Sequence, residues 1–317
     1  MSAFTPTAAG VVWTLVAALA AVLVLGFAIT RVRSLAGARV LAWTLAIGAA
    51  VFAERVTSAE PAGVRMLAII GLLLYALKAV VAIESDVRLS PVRWLAFAAL
   101  WPGMRPSLFA KMPSAAREGA AALMLMGLVR IGIGAALIAL GRLAWTATGS
   151  RVAAAALILP GISLVLHFGL FNLAAGGWRV AGVPADALFK APLLSTTLRE
   201  FWGKRWNLAF SEMTAASVYR PISLAAGRRA GVVAAFVASG LLHELAISVP
   251  VRAGYGLPLL YFALHGIAML AEGALGPLLA KQPWLGRAWT SAWLVLPLPI
   301  LFHPPFLRGV VWPLVGL

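Results

Sequence analysis

The chain has 317 residues, 62% hydrophobic and only 11% charged, with 26 Lys and Arg against 10 Asp and Glu and a formal net charge of +16. So few polar groups could not cover a soluble fold, the mean hydropathy of +0.95 excludes disorder, and a soluble nucleic-acid binder would not join that charge to that hydropathy. What remains is an integral membrane protein with its basic residues in the loops. The absence of cysteine also removes disulfides, thiolate metal sites and acyl-cysteine intermediates.

The first apolar run, Val11 to Ile29, is long enough to cross a hydrocarbon core of about 30 Å. No Lys or Arg precedes it, and Arg31, Arg33 and Arg39 follow it. That is the reverse of a cleaved leader, so it reads as a retained first helix. Further runs at 41–53, 66–83, 118–141, 152–175, 230–250, 257–276 and 291–312 predict an all-α polytopic fold of about eight spans, within a range of seven to ten. Segments 92–101 and 184–198 are too short or too proline-bounded to cross outright, and are expected as re-entrant or interfacial elements or as extra short spans.

With the N-terminus outside, eighteen basic residues fall in cytoplasmic loops and six in outer ones, a clear positive-inside signal. The expected location is the inner membrane of a bacterium, with the long loop 176–229 in the cytoplasm. Ala-rich runs such as Ala153 to Ala156 read as close helix packing. The whole of 1–317 reads as one domain, with N-terminal helices at 1–90 and a core at 91–317.

The long loop contains Thr197-Leu-Arg-Glu-Phe-Trp-Gly-Lys-Arg-Trp-Asn-Leu-Ala-Phe210. On a helix, Phe201, Trp202, Trp206 and Phe210 would face roughly one way, with Arg199, Lys204 and Arg205 off the stripe. That pattern predicts a helix lying in the membrane interface.

Ionisable or amide groups within the runs are the informative minority, because each is costly in hydrocarbon. They are Lys78, Arg130, His167, Asn172, His243, Glu244, His265 and Glu272. Lys78 and Arg130 are expected to snorkel, and His167 and Asn172 to hydrogen-bond between helices. His243 lies two thirds along its run, where an imidazole shielded from water suits a neutral general base for a hydroxyl. A packed, hydrogen-bonded His remains the commoner case for such a position. Ser239, four residues earlier, raises a Ser–His hydrolase, but no acid is placed to orient the ring. A metal site from His243, Glu244, His265 and Glu272 fits poorly, since adjacent residues point about 100° apart on a helix. A transporter would want broken helices and symmetric halves, and the two halves are unlike.

Three stretches carry a family resemblance: Leu198-Arg-Glu-Phe-Trp-Gly-Lys-Arg-Trp-Asn207, Tyr219-Arg-Pro221 and Ser239-Gly-Leu-Leu-His-Glu244. Together they resemble the wax synthase branch of the membrane-bound O-acyltransferases, most strongly over 195–272. Trp101-Pro-Gly-Met104, His265-Gly266 with Glu272, and Phe302-His-Pro-Pro305 are similar to that branch as well.

The resemblance implies transfer of a fatty acyl group from acyl-CoA to the hydroxyl of a lipophilic alcohol. His243 would be the general base, Asn207 its partner, and no acyl-enzyme would form. It also implies substrate contacts from Phe201, Trp202, Lys204, Arg205, Trp206, Tyr219, Ser239, Glu244 and His265. Among the cations of the long loop (Lys190, Arg199, Lys204, Arg205, Arg220, Arg228 and Arg229), Lys204 and Arg205 are the first choices for the coenzyme A phosphates.

Acyl-CoA is thus expected as co-substrate, with no metal and no permanently bound cofactor. Membrane lipids are expected as surroundings, nucleic acid is not, and a homo-oligomer is compatible. Two alternatives stay open. One is the same fold acylating a sterol, diacylglycerol, hydroxylated natural product or sugar; the other is a non-catalytic lipid binder or transporter.

Overall fold

The computed structural model describes residues 3–111 and 115–317, and among these it contains helices and turns but no strand. In chain order the helices are α1 Ala9–Ile29, α2 Leu35–Val56, α3 Ala62–Glu84, α4 Pro91–Leu100, α5 Ala120–Thr148, α6 Arg151–Val180, α7 Leu208–Val251, α8 Leu257–Lys281, α9 Pro283–Leu301 and α10 Pro304–Leu314. Seven of the described helices are long and apolar enough to cross a membrane, or eight if α9 and α10, bent by 68°, count as one broken span. All eight apolar runs of the sequence therefore become helix. Segment 92–101 becomes the short α4, and 184–198 is largely irregular chain with one turn at Pro192–Leu194.

Local chemistry sets the boundaries. Ser34 caps α2 by accepting from Gly37 N, and Ser150 caps α6 by accepting from Ala153 N. Between them α5 ends at Gly149, whose φ of +64° suits a residue without Cβ. The α5–α6 hairpin packs backbone to backbone: a Cβ on Gly134 would sit 2.6 Å from Gly161 O, and one on Gly141 3.2 Å from Ala154 O. Small residues do give close helix packing here, as the Ala-rich run predicts. Pro160 and a π turn over Leu164–Leu170 interrupt α6.

Three expectations are corrected. The loop 176–229 is not one loop: its second half is the first limb of α7. That helix breaks at Gly227, where φ 86° and ψ 162° lie in a region open essentially to glycine alone. The two limbs then run side by side, so close that a Cβ on Gly231 would meet Ser223 Oγ at 1.9 Å and Tyr219 O at 2.9 Å.

The aromatic and basic stretch is not a continuous interfacial helix either. It forms a helical turn at Leu198–Glu200, a π turn at Phe201–Arg205, extended backbone at Trp206, and then Asn207 at φ +42°.

Lys78, finally, does not snorkel. It is fully buried, with Nζ donating to Phe97 O at 3.2 Å and to Trp101 O and Gly103 O at 2.6 Å each. Its ammonium also sits 4.3 Å from the centre of the Phe97 ring.

Two apolar clusters form the core. One gathers α1–α4 with Phe189, Ala209 and Met213; the other gathers α6–α10. The motif segment lies on the seam between them. Trp206 and Phe210 pack on the first cluster, Trp202 and Tyr219 on the second.

Candidate active site

Asn207 begins the site. Its left-handed backbone ends the π turn and starts α7, and its Oδ1 accepts from Phe210 N at 3.2 Å. Asn tolerates this conformation because its short side chain bonds locally. With Oδ1 used as the cap, the amide NH2 is the end left to donate. The turn before it is tied to α7 by Ser211 Oγ, which donates to Trp202 O at 2.5 Å.

The break at Gly227 determines where Asn207 goes. The first limb of α7 runs back along the second, so residues near 210 meet residues near 243. The Phe210 ring centre is 5.8 Å from that of His243, and Phe262 of α8 lies 4.2 Å away on the same imidazole. Residues 33 apart in sequence thus meet.

His243 closes the regular part of α7, just before a π turn at Glu244–Ser248. Its Nδ1 lies 2.7 Å from Ser239 O. A carbonyl only accepts, so Nδ1 carries the proton and Nε2 of the neutral ring keeps its lone pair. Nε2 has no hydrogen-bond partner among the described residues. Ser239 Oγ donates back to Ala235 O at 2.8 Å, so it is not aligned as a nucleophile for this ring.

A cavity of about 240 Å³ opens between the two limbs of α7 and α8; His243 is not among its walls, but its neighbours Phe210 and Ser239 are. Trp202, Phe210, Thr214, Tyr219 and Ser239 are among its walls. Trp202 Nε1 and Thr214 Oγ1 are buried without partners. Arg199 lines the same cavity; it and Lys204 are exposed, and neither takes part in an ion pair among the described residues.

Arg205, by contrast, is used inside the fold. It pairs with Glu200 at 2.7 Å and donates to Lys190 O and Ala191 O at 3.2 and 3.3 Å. Lys190 is itself paired with Asp186. Burial draws the Glu200 carboxyl upward, but Thr196 N and Arg205 outweigh it, and its pKa falls below the usual glutamate value.

The remaining sequence candidates take supporting positions. Glu244 accepts from Leu259 N at 3.1 Å, capping α8. Glu272 is buried and accepts from Leu198 N at 2.6 Å, Arg199 N at 3.2 Å and Trp289 Nε1 at 3.2 Å. It therefore holds the start of the motif turn rather than pairing with His265. His265 is fully buried, with Nδ1 on Tyr261 O at 2.8 Å and its ring 5.4 Å from Trp202, edge to face. Phe201 stacks on Trp206 at 5.4 Å, and Trp206 meets Phe189 edge-on at 4.9 Å.

His167 does not bond across helices. Its Nδ1 lies 3.0 Å from Ser163 Oγ of its own helix, and its ring stacks on Phe189 at 4.6 Å. Asn172 is fully buried, and neither end of its amide has a partner. Sequence reading passed over Thr214, whose only signal is a hydroxyl one residue before a π turn.

Residues 185–264, which contain the motif turn, both limbs of α7 and His243, match the model of the Membrane bound O-acyl transferase family. The chain is 36% identical over 119 residues to the probable long-chain-alcohol O-fatty-acyltransferase 7 of Arabidopsis thaliana, covering 35% of this chain and 34% of that protein. It is 30% identical over 143 residues to the probable long-chain-alcohol O-fatty-acyltransferase 9 of the same plant, covering 40% and 42%. Against the long-chain-alcohol O-fatty-acyltransferase of Simmondsia chinensis it is 32% identical over 93 residues, 26% of each chain. The matched segment thus spans about a quarter to two fifths of the length of these curated relatives. The resemblance read from residues 195–272 therefore stands: this part of the chain is similar to the Membrane bound O-acyl transferase family and to long-chain-alcohol O-fatty-acyltransferases.

Proposed function

We propose that the protein transfers a fatty acyl group from acyl-CoA to the hydroxyl of a lipophilic alcohol. The observation that supports this best is the free Nε2 of His243, a ring held in one tautomer by Ser239 O and touching Phe210, whose N–H is capped by Asn207. The alcohol gives its proton to Nε2 as its oxygen attacks the thioester carbon. Asn207 is positioned by its cap to offer an amide N–H to the oxyanion that develops. Collapse breaks the C–S bond, and the imidazolium returns the proton to the departing thiolate. Ester and coenzyme A result, with no covalent enzyme intermediate.

The cavity suits the pantetheine arm. Trp202 Nε1 and Thr214 Oγ1 supply unused polar groups for its amides, and Arg199 and Lys204 supply free cations for its phosphates. With Arg205 engaged by Glu200, Arg199 takes its place beside Lys204 in the pair favoured from sequence. The end of the bundle bearing the motif turn would then face the compartment that holds acyl-CoA.

Purified protein given acyl-CoA and a panel of long-chain alcohols should release free thiol and form ester. His243→Ala should lower that rate by about 10²–10⁴-fold. Equal ester formation by wild type and His243→Ala would sink the assignment.

A further inference from the structure

A second cavity, of about 430 Å³, lies away from the motif segment on the other side of α7. Its walls are Ala46, Ala50 and Glu54 of α2, Leu73 of α3, and Leu242 and Leu245 of α7, with Trp43 at one end and Arg55 at the other. From Trp43 to Arg55 the groove follows α2 for about 18 Å at 1.5 Å per residue. It is elongated along α2, and apolar except at one end.

That end has a specific chemistry. Glu54 pairs through Oε1 with Arg65, which also donates to Pro250 O at 2.6 Å and Val249 O at 3.0 Å. The second carboxylate oxygen, Oε2, is buried and accepts from nothing. Arg55 is exposed and forms no ion pair among the described residues. A buried carboxylate oxygen without a donor is costly, and Arg65 Nε beside it is likewise buried without an acceptor, so the pair lacks one of each. Oε1 is already paired with the Arg65 guanidinium, so the carboxylate charge is balanced without an ammonium head. A phosphodiester has no proton to give. A neutral hydroxyl meets both conditions.

We propose that this groove binds a single-chain lipid bearing a hydroxyl head, with the hydroxyl donating to Glu54 Oε2 and the chain lying along α2 toward Trp43. The site is not the reaction centre. Glu54 is level with Val249, six residues beyond His243, and its groove is bounded by Leu242 and Leu245 on a different face of α7 from the imidazole. The inference needs no step of the proposed reaction. If that reaction is correct, the groove is a holding place for the acceptor alcohol.

Trp43 provides the readout. Hexadecanol brominated at mid-chain, added to purified protein in detergent, should quench a saturable part of the tryptophan emission. That part should be absent in Trp43→Phe and strongly reduced in Ala50→Leu, which fills the groove one turn before Glu54 and lies outside the motif segment. The matching methyl ether, which lacks the donor, should bind about tenfold more weakly, as expected for one hydrogen bond to a charged group.

Equal affinity for alcohol and ether overturns the inference, as does quenching that survives Ala50→Leu, or equal saturable quenching by a brominated phospholipid. Ester formation is assayed on the same samples. Turnover without groove binding removes this inference and leaves the function, whereas groove binding without turnover does the opposite.

Discussion

Replacing Lys78 by Met tests how the bundle is held together. Met keeps the length and apolar stem of the side chain but removes the ammonium. The carbonyls of Phe97, Trp101 and Gly103 then lose their donor, and no other donor reaches them among the described residues. Each buried carbonyl left unpaired costs about 1–3 kcal/mol, a gross loss of about 3–9 kcal/mol. Against this, the desolvation penalty of the buried ammonium, of order several kcal/mol, is relieved. The net local cost should be about 2–4 kcal/mol, spent on opening the Trp101–Met104 turn rather than on the whole bundle.

The absence of cysteine allows a direct assay. Met104 is buried in this turn, so a Met104→Cys thiol is protected until the turn opens. When closing is fast, the alkylation rate follows the equilibrium for opening. Adding Lys78→Met to Met104→Cys should accelerate labelling about 30- to 1,000-fold, at 1.4 kcal/mol per factor of ten. Acceleration below about threefold would mean that the three carbonyls find other donors, and the staple reasoning would be wrong.

Three other outcomes follow from the same geometry. Glu272→Ala removes the acceptor shared by Leu198 N and Arg199 N, a loss of about 1–2 kcal/mol. Acyl-CoA affinity should fall about 5- to 30-fold, with Glu272→Gln in between; unchanged affinity in the alanine variant would show that the cap does not shape the site. Gly227→Ala meets no steric neighbour but is forced to φ +86°, so it should lower stability by about 1–3 kcal/mol through backbone strain alone, read from thermal aggregation midpoints.

Glu200, with its pKa depressed, stabilises the fold fully above the unfolded glutamate value near about 4.3, and loses that contribution as pH falls through its lower folded value. The stability gap between wild type and Glu200→Gln should thus be constant from neutral pH down to about pH 5 and narrow only at more acid pH.

The helical class and every span were legible because apolar length is a property of contiguous residues. The residues of the site were legible too, since Phe-Trp, Arg-Trp-Asn and His-Glu are rare types in a chain of Ala, Leu and Val. What the sequence did not show was how they meet. Leu208 to Val251 reads as one hydrophobic stretch after a loop, and only the backbone at Gly227 turns it into two limbs that bring Phe210 to His243. Glycine is common in membrane helices, so nothing in the composition marks this one as a break. Snorkelling was the wrong expectation for Lys78 because its three acceptors lie 19 to 25 residues away, beyond any local pattern.

The intramembrane charges share a logic that sequence position could not reveal. Lys78 meets carbonyls at the C-terminal end of α4, and Arg65 meets Val249 O and Pro250 O at the C-terminal end of α7. Glu244 meets an N–H in the first turn of α8, and Glu272 meets the first N–H groups of the motif turn. Cations sit at helix C-termini and anions at N-termini, the arrangement the helix dipole favours. The fold breaks its helices repeatedly, each break leaves backbone groups without partners, and side chains from other helices satisfy them. Each of these four ionisable groups therefore has a structural role, with Arg65 Nε and Glu244 Oε2 left over. His243 is not among them. One ring nitrogen is held by its own helix, while the other is left with a lone pair and no partner; Phe210 and Ser239, which touch the ring, wall the cavity that holds the unpaired Trp202 Nε1 and Thr214 Oγ1. A neutral imidazole with one ring nitrogen free, in contact with two residues that wall a cavity with polar atoms to spare, is the strongest reason to place the chemistry there.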